Sequence, residues 1–319
     1  MTRLLTALLL SSALVACSAP DASEPDAAAD AATTPETEST QTVVAVQMSP
    51  ANDTPSLRQY WQLDGFDAPE SVIEAGNEIL YVSNVGGDGS AQDNNGVISK
   101  IGMNGTMIDR NWVTATETRV LNGPKGMALI PNDLGTETLV VADIDHIVLI
   151  DVDSAEIVKR IPADGAGFLN DVARGQGQTA LISDSANARI YMVENDVVTI
   201  WLEDERLGGV NGLHNDGDRL LVTTMSGGEL LSIDWETKAI TGIASGMENA
   251  DGIGIRPDGS YIISSWPGQL WHVREGEAPT LIQDTSGDTP ILMNDILLSG
   301  YRLVTPNWMP GTVRGYGVE

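Results

Sequence analysis

The stretches Tyr81-Val82-Ser83-Asn84, Val140-Val141-Ala142-Asp143, Leu181-Ile182-Ser183-Asp184, Leu221-Val222-Thr223-Thr224, Ile262-Ile263-Ser264-Ser265 and Leu303-Val304-Thr305-Pro306 decide the fold. Each joins an apolar pair to small polar residues, and from Asp143 onward their last residues are 41, 40, 41 and 41 positions apart. The first interval is 59, because loops are inserted around 86–95 and 114–122. A period of 40 to 50 residues is that of propeller blades, in which no unit can bury its apolar faces without a neighbour. After each stretch comes a short turn and then an alternating segment such as Ala188-Arg189-Ile190-Tyr191-Met192-Val193, the pattern of a half-buried strand. No segment of comparable length has helical spacing. The sequence therefore predicts an all-β protein, a six-bladed β-propeller with four-stranded blades over residues 57–319. A sandwich of short strands gives no reason for six near-equal intervals.

The last blade is short of a strand. Residues 311–319 supply only its third, so 57–66, with Tyr60 and Trp61, are predicted to provide the outer strand and close the ring without an exposed edge.

Ahead of the propeller, the chain opens with Arg3, an apolar run from Leu4 to Leu10, and Leu14-Val15-Ala16-Cys17. That is the layout of a lipoprotein signal peptide with a lipobox over 1–17, removed so that Cys17 becomes the lipidated first residue. Residues 18–56 are rich in Ala, Thr, Pro and acidic side chains, with few large apolar groups, and read as a disordered tether. The expected location is the cell envelope, on the periplasmic or outer-membrane face, with membrane contact through the lipid only; Ser18 leans towards the outer membrane. Cys17 is the single cysteine, so a disulfide, thiolate catalysis and cysteine-ligated zinc are excluded from the folded part. The net charge is −28, and residues 57–319 keep 38 acidic against 16 basic side chains. Such a surface repels nucleic acid and favours cations or neutral ligands. A monomer is expected.

A second repeat precedes the first in every unit: Pro69-Glu70-Ser71, Pro124-Lys125-Gly126, Leu169-Asn170-Asp171, Val210-Asn211-Gly212, Ala250-Asp251-Gly252 and Met293-Asn294-Asp295. Short apolar stretches follow each and are read as innermost strands. One side chain per blade, Glu70, Lys125, Asn170, Asn211, Asp251 and Asn294, is thus expected at the channel mouth. Asn and Asp also serve turns, but a common phase in the repeat points to a shared site. Two carboxylates and three carboxamides make an oxygen-rich cage suited to calcium or another hard divalent cation. Trp266 and Trp308, with Met225 and Met309, follow corresponding segments and fit either a substrate pocket or blade packing. By phase, His146, His214 and His272 fall in turns or outer strands, with a surface role.

These motifs, in this order, resemble the SMP-30/gluconolactonase/LRE-like propellers, a group related to paraoxonases; the resemblance spans about 57–319. It implies that Glu70, Asn211 and Asp251 bind a divalent metal, usually calcium, with Asn170 nearby, and that the substrate is a small-molecule lactone or related ester. Asp251 is expected to accept a proton as water attacks. Two positions depart from the pattern. Phe168 stands where sugar-lactone hydrolases tend to carry Arg, which favours a more apolar ligand in a pocket that also includes Asn294. Lys125 replaces a small, neutral or histidine residue, and three roles are open to it: a salt-bridged plug in place of the metal, a catalytic-site contact to an acidic product, or a side chain turned aside. A non-catalytic propeller binding a ligand or protein through the same face is the competing function.

Overall fold

A computed structural model describes residues 54–133 and 135–319; the residues read as a signal peptide, Cys17 and the residues read as a tether, as far as Asp53, lie outside the described residues. Five four-stranded antiparallel sheets occupy 69–114, 124–162, 169–203, 210–245 and 250–284, and a sixth blade is built from 292–318. These are blades 1 to 6 of a β-propeller. Strand Leu57–Asp64 pairs antiparallel with the last strand, Thr312–Val318, so the first and final strands share blade 6. The predicted closure is therefore present. Ser56, read as tether, extends it by one residue, exchanging both backbone hydrogen bonds with Glu319 at 2.9 Å.

The core consists of apolar layers packed between adjacent blades, each taking side chains from two units. Leu139, Val141, Val148 and Ile150 of blade 2, for example, pack with Tyr81, Ile98 and Val113 of blade 1. Alternation in the second and third strands sends one set of side chains to each neighbouring blade, so both faces are covered and residues such as Leu80, Ile182 and Leu230 are fully buried. The outermost strands have only one covered face. Their other face carries Glu, Arg, Lys and isolated apolar residues such as Val158 and Val197.

The inner strands are not regular, and this positions the site. In blades 1 to 5 the pairing of the innermost with the second strand slips between Pro69 and Val72, Pro124 and Met127, Leu169 and Val172, Val210 and Leu213, and Ala250 and Ile253. In blade 6 the inner strand is broken into Leu292–Met293 and Leu297–Ser299. An extra residue interrupts the two-residue alternation and re-aims side chains. The predicted ring residue and the residue after it occupy that irregularity in every blade. Where the following residue carries a side chain, it links neighbouring inner strands: Ser71 Oγ donates to Asp295 Oδ2, and Asp171 Oδ2 accepts from the Leu213 N–H.

Candidate active site at the channel mouth

Second-strand hydroxyls hold the irregular backbone. Ser83, Ser183 and Ser264 accept hydrogen bonds through Oγ from the backbone N–H of Ser71, Asp171 and Gly252 at 2.8–2.9 Å. In blade 4, Thr223 Oγ1 donates to the backbone carbonyl of Asp251 in the next blade. These hydroxyls are the small polar residues of the repeating stretches quoted first. Two further members of those stretches, Asp143 and Asp184, fix the segments that enter the inner strands. Asp143 accepts from the N–H groups of Asn122 and Gly123, and Asp184 from those of Gly167 and Phe168. Sequence reasoning registered them as repeat markers and missed this role.

All six predicted ring residues line one cavity of about 360 Å³ at the channel mouth: Glu70, Lys125, Asn170, Asn211, Asp251 and Asn294. Each is less than a tenth exposed. Phe168, Met225, Trp266, Trp308 and Met309 form its apolar part, joined by Gly89 and Leu292, which the sequence reading did not single out. Trp266 and Trp308 meet edge to face with ring centres 6.4 Å apart, so they both pack on each other and wall the cavity.

Polar groups on the floor divide into satisfied and unsatisfied. Asn170 Nδ2 donates to Ser185 Oγ at 3.1 Å, and Asn294 Nδ2 to the Pro69 carbonyl at 3.2 Å. Glu70 Oε2 and Asn211 Oδ1 are buried and have no donor. Two orphaned acceptors at one site are costly unless something positive sits between them. Burial, with Asp251 and Asp295 nearby, pushes Glu70 well above the usual carboxylate range, and burial with Asp295 does the same to Asp251. The donor set fits a hard divalent cation in charge and ligand type. Among the described residues no three His, Cys, Asp or Glu side chains cluster as a metal site, and here three of the five oxygen-bearing ring side chains, Asn170, Asn211 and Asn294, are carboxamides.

Lys125 is turned aside. Its Nζ donates to the carbonyls of Gly89 (2.9 Å) and Gly123 (3.2 Å) and stands 4.4 Å from the centre of the Phe168 ring. Among the described residues it makes no ion pair with Glu70 or Asp251, so a salt-bridged plug is not what the side chain forms. It still lowers the Glu70 pKa through space, against the larger effect of burial.

Three histidine placements need correction. His214 lies on the inner strand Val210–Asn215, which continues past its irregularity, and lines a cavity that also contains Asp171 and Asp295 but none of the six ring residues. His272 is buried on the third strand Gln269–Val273, because third strands are sandwiched between blades. His146 opens the third strand His146–Asp151 of blade 2, in place of a turn or outer strand; it is partly exposed, with Nδ1 2.5 Å from Asp145 Oδ1. Among the described residues, no histidine lines the channel-mouth cavity.

No family model and no curated protein matches the sequence. Solved structures do match in fold. A catalytically inactive virginiamycin B lyase from Staphylococcus aureus, in which one histidine is replaced by alanine, was solved with quinupristin. It aligns with a TM-score of 0.57 at 12% identity, covering 83% of this chain and 100% of that one. A gluconolactonase from Xanthomonas campestris aligns at 0.58 and 16% identity over 83% and 90% of the two chains, and a putative gluconolactonase at 0.57 and 13% over 85% and 93%. At such identities the likeness is one of fold: this chain is built as those lyase and gluconolactonase propellers are.

Proposed function

We propose that the protein is a hydrolase of a lactone or related ester that works with a divalent cation, calcium by ligand type, held by Glu70, Asn211 and Asp251 with Asn170 beside them. The observation that carries this reading is the pair of buried, donorless oxygens, Glu70 Oε2 and Asn211 Oδ1, on the floor of a small-molecule cavity. Such a cation supplies Lewis-acid polarisation of an ester carbonyl and a more acidic water. The chain's own residues supply the rest. Asp251, a buried carboxylate on the floor of the cavity, is assigned the general base that accepts a proton as water attacks. The aromatic walls exclude water from the apolar side, which strengthens electrostatics at the floor. With its donors directed at two backbone carbonyls, Lys125 positions the mouth and is not assigned a bond to substrate. Attachment of the propeller to a cell-envelope membrane through a lipid on Cys17 belongs to the same proposal.

Calorimetric titration with calcium, paired with turnover of simple γ- and δ-lactones, tests it. Glu70→Gln should weaken calcium binding at least about tenfold and raise the melting temperature of the chelated protein, because a buried charge has been removed. Turnover should vanish on chelation and return with calcium. Calcium binding without turnover of any ester would leave a non-catalytic ligand-binding propeller, a reading the Trp266–Trp308 wall equally suits. Absence of any divalent binding would remove the hydrolase proposal. The gluconolactonase folds favour a lactone over the lyase alternative, since replacing a histidine accompanies inactivity in that lyase and, among the described residues, no histidine lines this cavity.

A further inference from the structure

The cavity is roofed on one side by a loop unique to blade 1. Residues 85–96 connect the second and third strands of that blade, and Gly89 reaches over the channel mouth. Three observations fix its place. Lys125 Nζ donates to its carbonyl at 2.9 Å, from a side chain that is almost fully buried. A Cβ built on Gly89 would stand 3.7 Å from the Trp308 ring, 3.8 Å from the Phe168 ring and 3.9 Å from Lys125 Cε. Gly89 has no left-handed backbone angle that would reserve the position for glycine. A side chain there would thus make ordinary van der Waals contact with both rings, so neither space nor conformation reserves the position for glycine. What its missing side chain leaves open is the gap bounded by Phe168 and Trp308.

Charge narrows the occupant. The floor carries two carboxylates, and the one cation lining the cavity among the described residues is directed at backbone carbonyls and covered by the Phe168 ring. Apart from the floor, where the proposed cation would be held, no free cationic side chain among the described residues stands at the gap to receive an anionic substituent. An apolar, uncharged substituent would instead meet two aromatic rings and the thioether of Met309 or Met225.

We propose that Gly89, pinned by Lys125, is a specificity-determining residue, and that the substrate is an uncharged lactone or ester bearing an apolar, ring-sized substituent held between Phe168 and Trp308. This rests on the lactonase reading for its chemistry, while the slot itself does not require turnover. The full-length, calcium-loaded chain is assayed with γ-butyrolactone and γ-phenyl-γ-butyrolactone in the wild type and in Gly89→Ala, Gly89→Val and Gly89→Leu. The ratio of kcat/KM, phenyl over unsubstituted, should exceed about tenfold in the wild type and fall stepwise with side-chain size, losing about tenfold by leucine. A ratio near one in the wild type, or one unchanged along the series, overturns the proposal; so does a uniform loss on both substrates that tracks the melting temperature. If neither lactone turns over, the hydrolase reading has failed, and the slot is then judged by tryptophan-fluorescence titration with the neutral, non-hydrolysable γ-phenyl-γ-lactam. Binding that weakens in the order Gly, Ala, Val, Leu supports the slot, and no binding to the wild type sinks it.

Discussion

The ammonium of Lys125 sits 4.4 Å from the centre of the Phe168 ring, with its hydrogen bonds going to the Gly89 and Gly123 carbonyls and neither carboxylate of the cavity floor as an ion-pair partner. A cation that looked positioned to replace a metal is instead used as a clip. Burial lowers the pKa of this ammonium, and nearby Glu70, Asp143 and Asp88 act in the opposite direction. The same charge repels a divalent ion on the floor.

Lys125→Met separates the two effects. The substitution keeps an apolar stem against Phe168 and removes the charge. Calcium affinity should rise about fivefold, equivalent to ~1 kcal/mol of relieved repulsion. Amide exchange in 85–96 should accelerate, since the Gly89 carbonyl loses its donor. Calorimetry and hydrogen exchange on the same sample read both, and a fall in calcium affinity would assign Lys125 a direct part in holding the ion.

The channel carboxyls give an unusual pH dependence. Burial raises Asp295 from 3.8 to about 6, although Ser71 and the Ile296 N–H pull it down, and burial also raises Asp171 well above its ordinary value. A carboxyl whose folded pKa exceeds its unfolded one holds extra protons in the native state, so stability falls as pH climbs from about 4 to about 6 and stays lower above. The chelated protein should therefore melt at a higher temperature at pH 4.5 than at pH 7.5. Overall negative charge acts in the same direction, and Asp295→Asn isolates the local part by flattening the profile. A melting temperature that increases across this window contradicts the burial account.

What could be read in the sequence and what could not have a common cause. Blades repeat, so any feature tied to the repeat is visible: the closing strand at Leu57–Asp64, the ring from Glu70 to Asn294, and the hydroxyls at Ser83, Ser183 and Ser264. Features that depend on a single, non-repeating segment are not. The direction taken by the long Lys125 side chain is decided by a loop that only blade 1 has, and no spacing argument reaches Gly89. His214 was misplaced because the strand continues beyond the irregularity at Asn211 and Gly212, and a slip of register is not written in composition. That Ser71, Asp171 and Asp295 link neighbouring inner strands also needed the slip to be seen.

Ser264→Ala tests whether the second-strand hydroxyls aim the ring. Ser264 is fully buried, and its Oγ is the acceptor for the Gly252 N–H at 2.8 Å, directly after Asp251. Losing it leaves a buried backbone donor unsatisfied, at a cost of about 1–3 kcal/mol. The expected result is a lower melting temperature together with a several-fold loss of calcium affinity. A stability loss with calcium binding intact would show that Asp251 is aimed by other contacts.

Gly212→Ala addresses the contact between neighbouring inner strands. A Cβ at Gly212 would overlap the backbone carbonyl oxygen of Asp251 in the next blade and crowd Thr223 Oγ1, the group that donates to that same carbonyl. Backbone cannot yield as a flexible side chain does, so either the blades separate or the Asp251 segment shifts. Overpacking of this kind costs about 1–3 kcal/mol, which for a domain of this size corresponds to a melting temperature lower by roughly 2–10 °C. Gly287→Ala is the matched control, because nothing lies within 4 Å of its Cβ position, and it should stay within about 0.5 kcal/mol of the wild type. If Asp251 is the residue displaced, calcium affinity and lactone turnover fall together in Gly212→Ala beyond what the melting temperature accounts for, whereas blade separation alone lowers stability and leaves both intact in the folded fraction.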